Sequence, residues 1–139
     1  MKKFVALVMS LLVFFSVGST VMALGTTQQE LSRPIEPFYD YTNDISANIY
    51  ISGQTAFCRG EVIGKSAVNK IEAEMTLQKK TLLWWSKVET WSKTEYSNLV
   101  EMEKSHSIDS GTYRVKVKAT IHNGNAQETV DVYSAEKKK

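Results

Sequence analysis

Thr112-Tyr113-Arg114-Val115-Lys116-Val117-Lys118-Ala119-Thr120-Ile121-His122, running into Asn123-Gly124-Asn125, decides the fold class of this chain. Successive side chains of a strand point to opposite faces. Tyr113, Val115, Val117, Ala119 and Ile121 alternate with Arg114, Lys116, Lys118 and Thr120, so the stretch predicts a strand with one buried and one solvated face. The Asn-Gly pair behind it is the strongest short-range hairpin signal, because both residues tolerate positive φ. Ala126 to Tyr133 follows at once as the partner strand, and Ala135 to Lys139 is a charged tail.

The same period of two extends upstream. Ile45, Ala47, Ile49 and Ile51 alternate with Ser46, Asn48 and Tyr50, and Ser52-Gly53-Gln54 turns the chain into a second strand, Thr55 to Ile63. In that strand Ala56, Cys58, Gly60 and Val62 share a face, which makes Cys58 a small apolar residue of the interior rather than a nucleophile. After a loop from Gly64 to Asn69, Ile71, Ala73, Met75 and Leu77 alternate with Glu72, Glu74, Thr76 and Gln78. A fifth strand, about Leu99 to Ser105, is weakly patterned.

Between these lies an aromatic fourth segment whose apolar positions Trp85, Val88 and Trp91 are spaced by three. That spacing fits a flat strand badly. A bulge on each side of Val88 reconciles it with a strand, a short helix is the competitor, and Val88, Thr90 and the tryptophans favour the strand. Only a regular strand with Trp84 and Val88 inward buries Trp84; irregular backbone around Val88, or a regular strand with Trp85 and Trp91 inward, places it in solvent. Trp85 and Trp91 are then expected in the core.

Seven short strands over residues 44–134, turn signals at regular intervals and no amphipathic helix predict an all-β, two-sheet sandwich. Ahead of it, residues 24–43 form a polar, extended lead-in, since Pro34 and Pro37 deny it a regular ladder; Phe38, Tyr39 and Tyr41 are positioned to dock it. Residues 1–23 read as a cleavable signal peptide: Lys2 and Lys3, an uncharged apolar run, then Val21-Met22-Ala23 at the cleavage site. A secreted, extracellular protein starting at Leu24 is expected, with no membrane association once the signal is gone. The net charge of +2 leaves with Lys2 and Lys3, which argues against nucleic acid as a partner. A single cysteine offers no internal disulfide.

Asp109-Ser110-Gly111-Thr112-Tyr113-Arg114-Val115 resembles the sixth-strand signature of immunoglobulin-like domains, in which an aspartate and a tyrosine precede an inward cysteine. The resemblance implies an immunoglobulin-like sandwich with Tyr113 as the corner tyrosine, its hydroxyl bonded back to backbone. Val115 stands where the cysteine would be. The mature chain, from Pro37-Phe38-Tyr39-Asp40-Tyr41 through Leu77-Gln78-Lys79-Lys80 and the spaced tryptophans to Gly111-Thr112-Tyr113-Arg114-Val115, also resembles an uncharacterised family of small proteins secreted by Gram-positive bacteria. That resemblance implies location and fold, and no activity.

Catalytic and metal motifs are missing from the pattern. Two histidines, one cysteine and scattered acids give no zinc spacing, and Asp40-Tyr41-Thr42-Asn43-Asp44 lacks the glycine and glutamate of a calcium loop. No catalytic residue, metal or cofactor is expected. Two features suit binding: the cations Arg114, Lys116 and Lys118 on one strand face, and an exposed Trp84 able to stack on a sugar or anchor a protein. Glu72 and Glu74 on the neighbouring third strand are expected to face those cations as a solvated ladder. The leading expectation is a secreted, non-catalytic binding or interaction module for a cell-wall glycan or surface protein. The alternative is a secreted effector or antimicrobial protein acting on other cells.

Overall fold

In the computed structural model, which describes residues 38–139, the alternating stretches become β1 (Thr42–Ser52), β2 (Thr55–Gly64), β3 (Lys70–Lys80), β4 (Trp85–Glu95), β5 (Leu99–Ser107), β6 (Thr112–Asn123), β7 (Ala126–Tyr133) and a short β8 (Lys137–Lys138). The expected signal peptide, residues 1–23, and the lead-in as far as residue 37 lie outside the described residues. β1, β2 and β5 form one antiparallel sheet in the order β1-β2-β5, and the other runs β4-β3-β6-β7, with β8 paired to β6. The described residues form the expected all-β, two-sheet sandwich of seven main strands.

β3 and β6 form the middle of the core because their apolar sets coincide in register. Ile71 lies opposite Ile121, Ala73 opposite Ala119, Met75 opposite Val117 and Leu77 opposite Val115, and all eight are buried. Facing them are Ile45, Ala47 and Ile49 of β1, Ala56, Cys58 and Val62 of β2, and Val100 and Met102 of β5. Each large side chain so buried stabilises the fold by roughly 1.5–3 kcal/mol. The sheets leave no room for a side chain at Gly60, where an added Cβ would stand 2.7 Å from Cγ2 of Val117 and 3.4 Å from Sδ of Met75. Burial also pushes the Cys58 thiol up to about 11, so it stays protonated and inert at neutral pH.

Both two-residue hairpins turn on a glycine with positive φ: Gly53 between Ser52 and Thr55, and Gly124 between Asn123 and Ala126. The second loop is Gly124-Asn125, one residue later than an Asn123-Gly124 turn, and Asn123 closes the ladder. The charged tail is partly ordered, since Lys137 and Lys138 pair with Tyr113 and Thr112 and the Lys139 amide donates to Gly111 O at 2.9 Å.

The fourth segment is a strand with one bulge, where a bulge on each side of Val88 had been expected. Leu77 pairs with Glu89 and Gln78 with Lys87, leaving Val88 as the extra residue. One extra residue inverts the alternation. Trp91, opposite Met75, packs against the core, whereas Trp85, opposite Lys80, lies on the outer face. The expectation that Trp85 is a core residue is thereby corrected.

At the start of β1, Glu128 of β7 gathers the lead-in. Its carboxylate accepts from the backbone amides of Asp40, Tyr41 and Thr42 at 2.8, 3.0 and 3.1 Å and from Thr42 Oγ1 at 2.9 Å. Burial alone would raise its pKa, but these hydrogen bonds outweigh that and hold it below the usual carboxylate range. Tyr39 and Tyr41 dock against the core, while Phe38 stays exposed.

Candidate functional site

β3 and β4 are joined by Thr81-Leu82-Leu83-Trp84. A Thr hydroxyl can mimic a backbone turn by bonding along the chain, and Thr81 does so here. Its amide and Oγ1 donate to Trp84 O at 2.8 and 2.7 Å, and the Trp84 amide donates to Thr81 Oγ1 at 3.2 Å. The closed ring leaves Leu82 and Leu83 no core to face. Leu82 is 101% exposed, Leu83 85% and Trp84 64%. Single exposed apolar residues are ordinary, but three in succession at the apex of a hydrogen-bonded hairpin are a contiguous apolar patch of the kind that marks an interaction site.

Trp84 is in solvent as expected, but it is the turn that exposes it and not a strand face, since both strand arrangements that exposed it placed Trp85 inward; Leu82 and Leu83 were missed. Their signal is an apolar pair in a hairpin turn that contains no Gly, Pro, Asn or Asp.

The cations of β6 have partners of their own. The Arg114 guanidinium carbon lies 4.1 Å from the Trp85 ring centroid and 4.1 Å from that of Tyr133, and its Nε donates to Gln78 Oε1 at 2.8 Å. Contact with two rings at once suits the planar, delocalised guanidinium of Arg better than the ammonium of Lys. Lys116 pairs with Asp131 at 3.2 Å and lies 5.3 Å from the Tyr133 ring. Lys118 is exposed and in register between Glu74 and Asp131. Glu72, the other expected partner, lies opposite Thr120 and instead contacts Lys70 at 2.6 Å and His122 at 2.9 Å. Hydrogen bonds from Lys70 and then His122 lower its pKa. Arg114, Lys116 and Lys118 thus form a ladder down the sheet, and Trp84 stands apart from them at the tip.

A second cluster closes the β5–β6 corner. The Tyr113 hydroxyl donates to Asp109 Oδ1 at 2.6 Å and approaches Asp109 O at 3.1 Å, and Lys79 Nζ pairs with the same Oδ1 at 2.6 Å. Hydrogen bonding from Lys79, then from Tyr113, holds the Asp109 carboxyl at about 2. An open cleft of about 700 Å³ beside it is lined by Gln54, Val88, Ile108, Asp109 and Tyr113 among others. On the opposite sheet Tyr50 and Phe57 form an exposed aromatic pair, with ring centroids 6.1 Å apart. His106 lies at the open β4–β5 edge, against Trp91 at 6.4 Å between centroids. Among the described residues no group of three or more His, Cys, Asp or Glu is placed to hold a metal.

No family model matches the chain, and no curated protein matches it. Among solved structures it is similar to wild-type OgpA from Akkermansia muciniphila, with a TM-score of 0.39 and 10% identity over 76% of this chain and 32% of that one. The chain therefore spans about a third of the length of that structure.

Proposed function

We infer that the chain is a secreted, non-catalytic binding module of immunoglobulin-like type, and that its contact surface is the β3–β4 hairpin tip. The observation that carries the reading is the tip itself: Leu82, Leu83 and Trp84 stand in solvent on a turn fixed by its own hydrogen bonds. A rigid apolar apex gains affinity by burial and pays little ordering entropy on contact. The β6 cations support the tip less as contact residues than as scaffold, because Arg114 and Lys116 are already engaged.

The immunoglobulin-like part of the reading is supported by the division of strands into β1-β2-β5 and β4-β3-β6-β7 and by the corner bond of Tyr113 to Asp109 O. Export through a signal peptide, and kinship with small secreted Gram-positive proteins, belong to the same proposal and rest on the sequence.

The test is a binding screen of the exported protein against wall fractions, glycans, surface proteins and lipids. Trp84→Ala should weaken whatever binding is found and leave the denaturation midpoint nearly unchanged. Binding that is indifferent to Trp84, Leu82 and Leu83 would move the contact surface elsewhere.

A further inference from the structure

We propose that the tip's partner is an anionic lipid bilayer, with Leu82, Leu83 and Trp84 entering the headgroup region and the lysines at the hairpin's base meeting lipid phosphates. This inference rests on the reading of the tip as the contact surface. Shape is the first argument. A pocket encloses its ligand, whereas Leu82 at 101% and Leu83 at 85% exposure form a projection with nothing around it. A projection must enter its partner.

The order of chemistry along the hairpin is the second argument. Aliphatic side chains occupy the apex, an indole comes next, and ammonium groups begin at Lys80, opposite Trp85. A bilayer presents hydrocarbon, then the interfacial layer where Trp is enriched, then phosphates, in that sequence. Thr81 and Trp84 close the turn just beyond the Lys80–Trp85 pair, so the backbone of Leu82 and Leu83 stands about one to two strand rises, roughly 3–7 Å at about 3.3 Å per residue, past Lys80, and their side chains reach further. That matches the roughly 5–10 Å to which interfacial segments sink. Lysine stems lie along such apolar surface while their heads stay in the polar layer.

Charge complementarity is the third argument. Lys79 and Lys80 end β3, Lys87 lies opposite Gln78 on β4, and Lys137 and Lys138 are paired to Tyr113 and Thr112 at the same end of the sheet. Asp109 engages Lys79 and Glu136 engages Lys80. Lys87, Lys137 and Lys138 form no ion pair with a side chain among the described residues. Strands are about 4.8 Å apart, so the β8 lysines stand roughly 10 Å from β3, within about one Debye length at moderate salt. The ordering of the tail on β6 brings a separate run of lysines into the ring around the tip.

No membrane association after signal cleavage is expected from the sequence, and the proposed contact at the hairpin tip departs from that expectation. Among the described residues no helix is long and apolar enough to cross a membrane. Contact by a hairpin tip requires no span.

The test is co-sedimentation of the exported protein with vesicles of equal parts phosphatidylglycerol and phosphatidylcholine, and with phosphatidylcholine alone. The expected result is partition onto the anionic vesicles with a blue shift of tryptophan emission, weakened at about 1 M salt, where the Debye length falls to about 3 Å. Leu82→Ser with Leu83→Ser should lower partition about tenfold or more. Trp84→Phe should bind and lose most of the blue shift. Lys137→Gln with Lys138→Gln should cost about fivefold per lysine engaged. Circular dichroism and the denaturation midpoint of each variant establish that it is folded, which the solvent position of the tip favours.

Absence of partition onto the anionic vesicles, or partition unchanged in the folded double serine variant, would overturn the bilayer inference. If tip-dependent binding then appeared only on a glycan or surface protein in the wider screen, the binding-module reading would stand without the bilayer. If no tip-dependent binding appeared there either, both would fail.

Discussion

The guanidinium carbon of Arg114 stands 4.1 Å from the ring centroid of Trp85, and the pair turns a residue that looked like a ligand contact into part of the scaffold. The Tyr133 ring centroid lies at the same distance from that carbon and Gln78 accepts from Nε. Arg114→Ala should therefore destabilise the fold by about 1–2 kcal/mol, from the cation–π stack and a hydrogen bond together. Arg114→Lys should recover only part of that, since an ammonium cannot stack as a plane. Urea denaturation of the two variants, with Trp85→Ala to complete a double-mutant cycle, measures the coupling. A coupling near zero would contradict the stack.

Gly60 faces Val117 across the sandwich with no room for a side chain, its added Cβ falling 2.7 Å from Cγ2. Gly60→Ala should cost about 1–3 kcal/mol as an overpacking change. Pairing it with Val117→Ala should return part of the loss, a compensation that a purely conformational effect of glycine would not show. Denaturation midpoints of the single and double variants decide between the two.

Most of the sandwich was legible because its two central strands alternate without interruption: the buried set from Tyr113 to Ile121 and that from Ile71 to Leu77 are the ones the pattern names. The fourth strand was harder for a physical reason. A single bulge at Val88 reverses every side chain on one side of it, and period-two counting does not locate such a reversal. Trp91 consequently packs inward and Trp85 outward, although a regular strand would place them together. At the candidate site, counting faces puts Trp84 in solvent for a reason the structure does not share: the strand arrangements that expose it turn Trp85 inward, whereas the Thr81 turn is what exposes it. Leu82 and Leu83 could not be placed without the turn, since an apolar pair continues equally well into a core strand.

The corner hydroxyl of Tyr113 lies 2.6 Å from Asp109 Oδ1 and 3.1 Å from Asp109 O. Tyr113→Phe should lower stability by about 0.5–1.5 kcal/mol, the usual net contribution of such a bond. The ring remains buried in that variant, so a larger loss by thermal or chemical denaturation would point to packing rather than to the hydroxyl.

Acid should weaken the same corner. Lys79 first, and Tyr113 second, hold the Asp109 carboxyl at about 2 in the folded state, below the unfolded value of about 3.9. A lowered folded pKa gives stability that is complete above the unfolded pKa and lost as pH falls through the folded one. Between about pH 4 and 2 the wild type should therefore lose stability more steeply than Asp109→Asn, with parallel curves above about pH 5. The Asp109 side chain is 79% exposed, so solvent screens the pair and the difference should be small. Identical slopes in this window would contradict the assignment.

Export carries its own check. Val21-Met22-Ala23 closes the apolar run, so intact-mass analysis of protein recovered from the medium should show Leu24 as the first residue. Recovery of a form that retains Met1 to Ala23 would contradict the signal-peptide reading.

The tip stands or falls on retention at cell envelopes. Exported wild-type protein and the Leu82→Ser, Leu83→Ser, Trp84→Ser variant would be added to isolated envelopes and the bound fraction measured, after both show the same denaturation midpoint. Loss of the three apolar side chains should reduce retention about tenfold or more, given roughly 1.5–3 kcal/mol for each large apolar group removed from water, while Lys118→Gln on the β6 ladder should bind like wild type. Equal retention of the wild type and the triple variant, or loss of retention in Lys118→Gln alone, would show that the hairpin tip is not the surface by which this protein meets its partner.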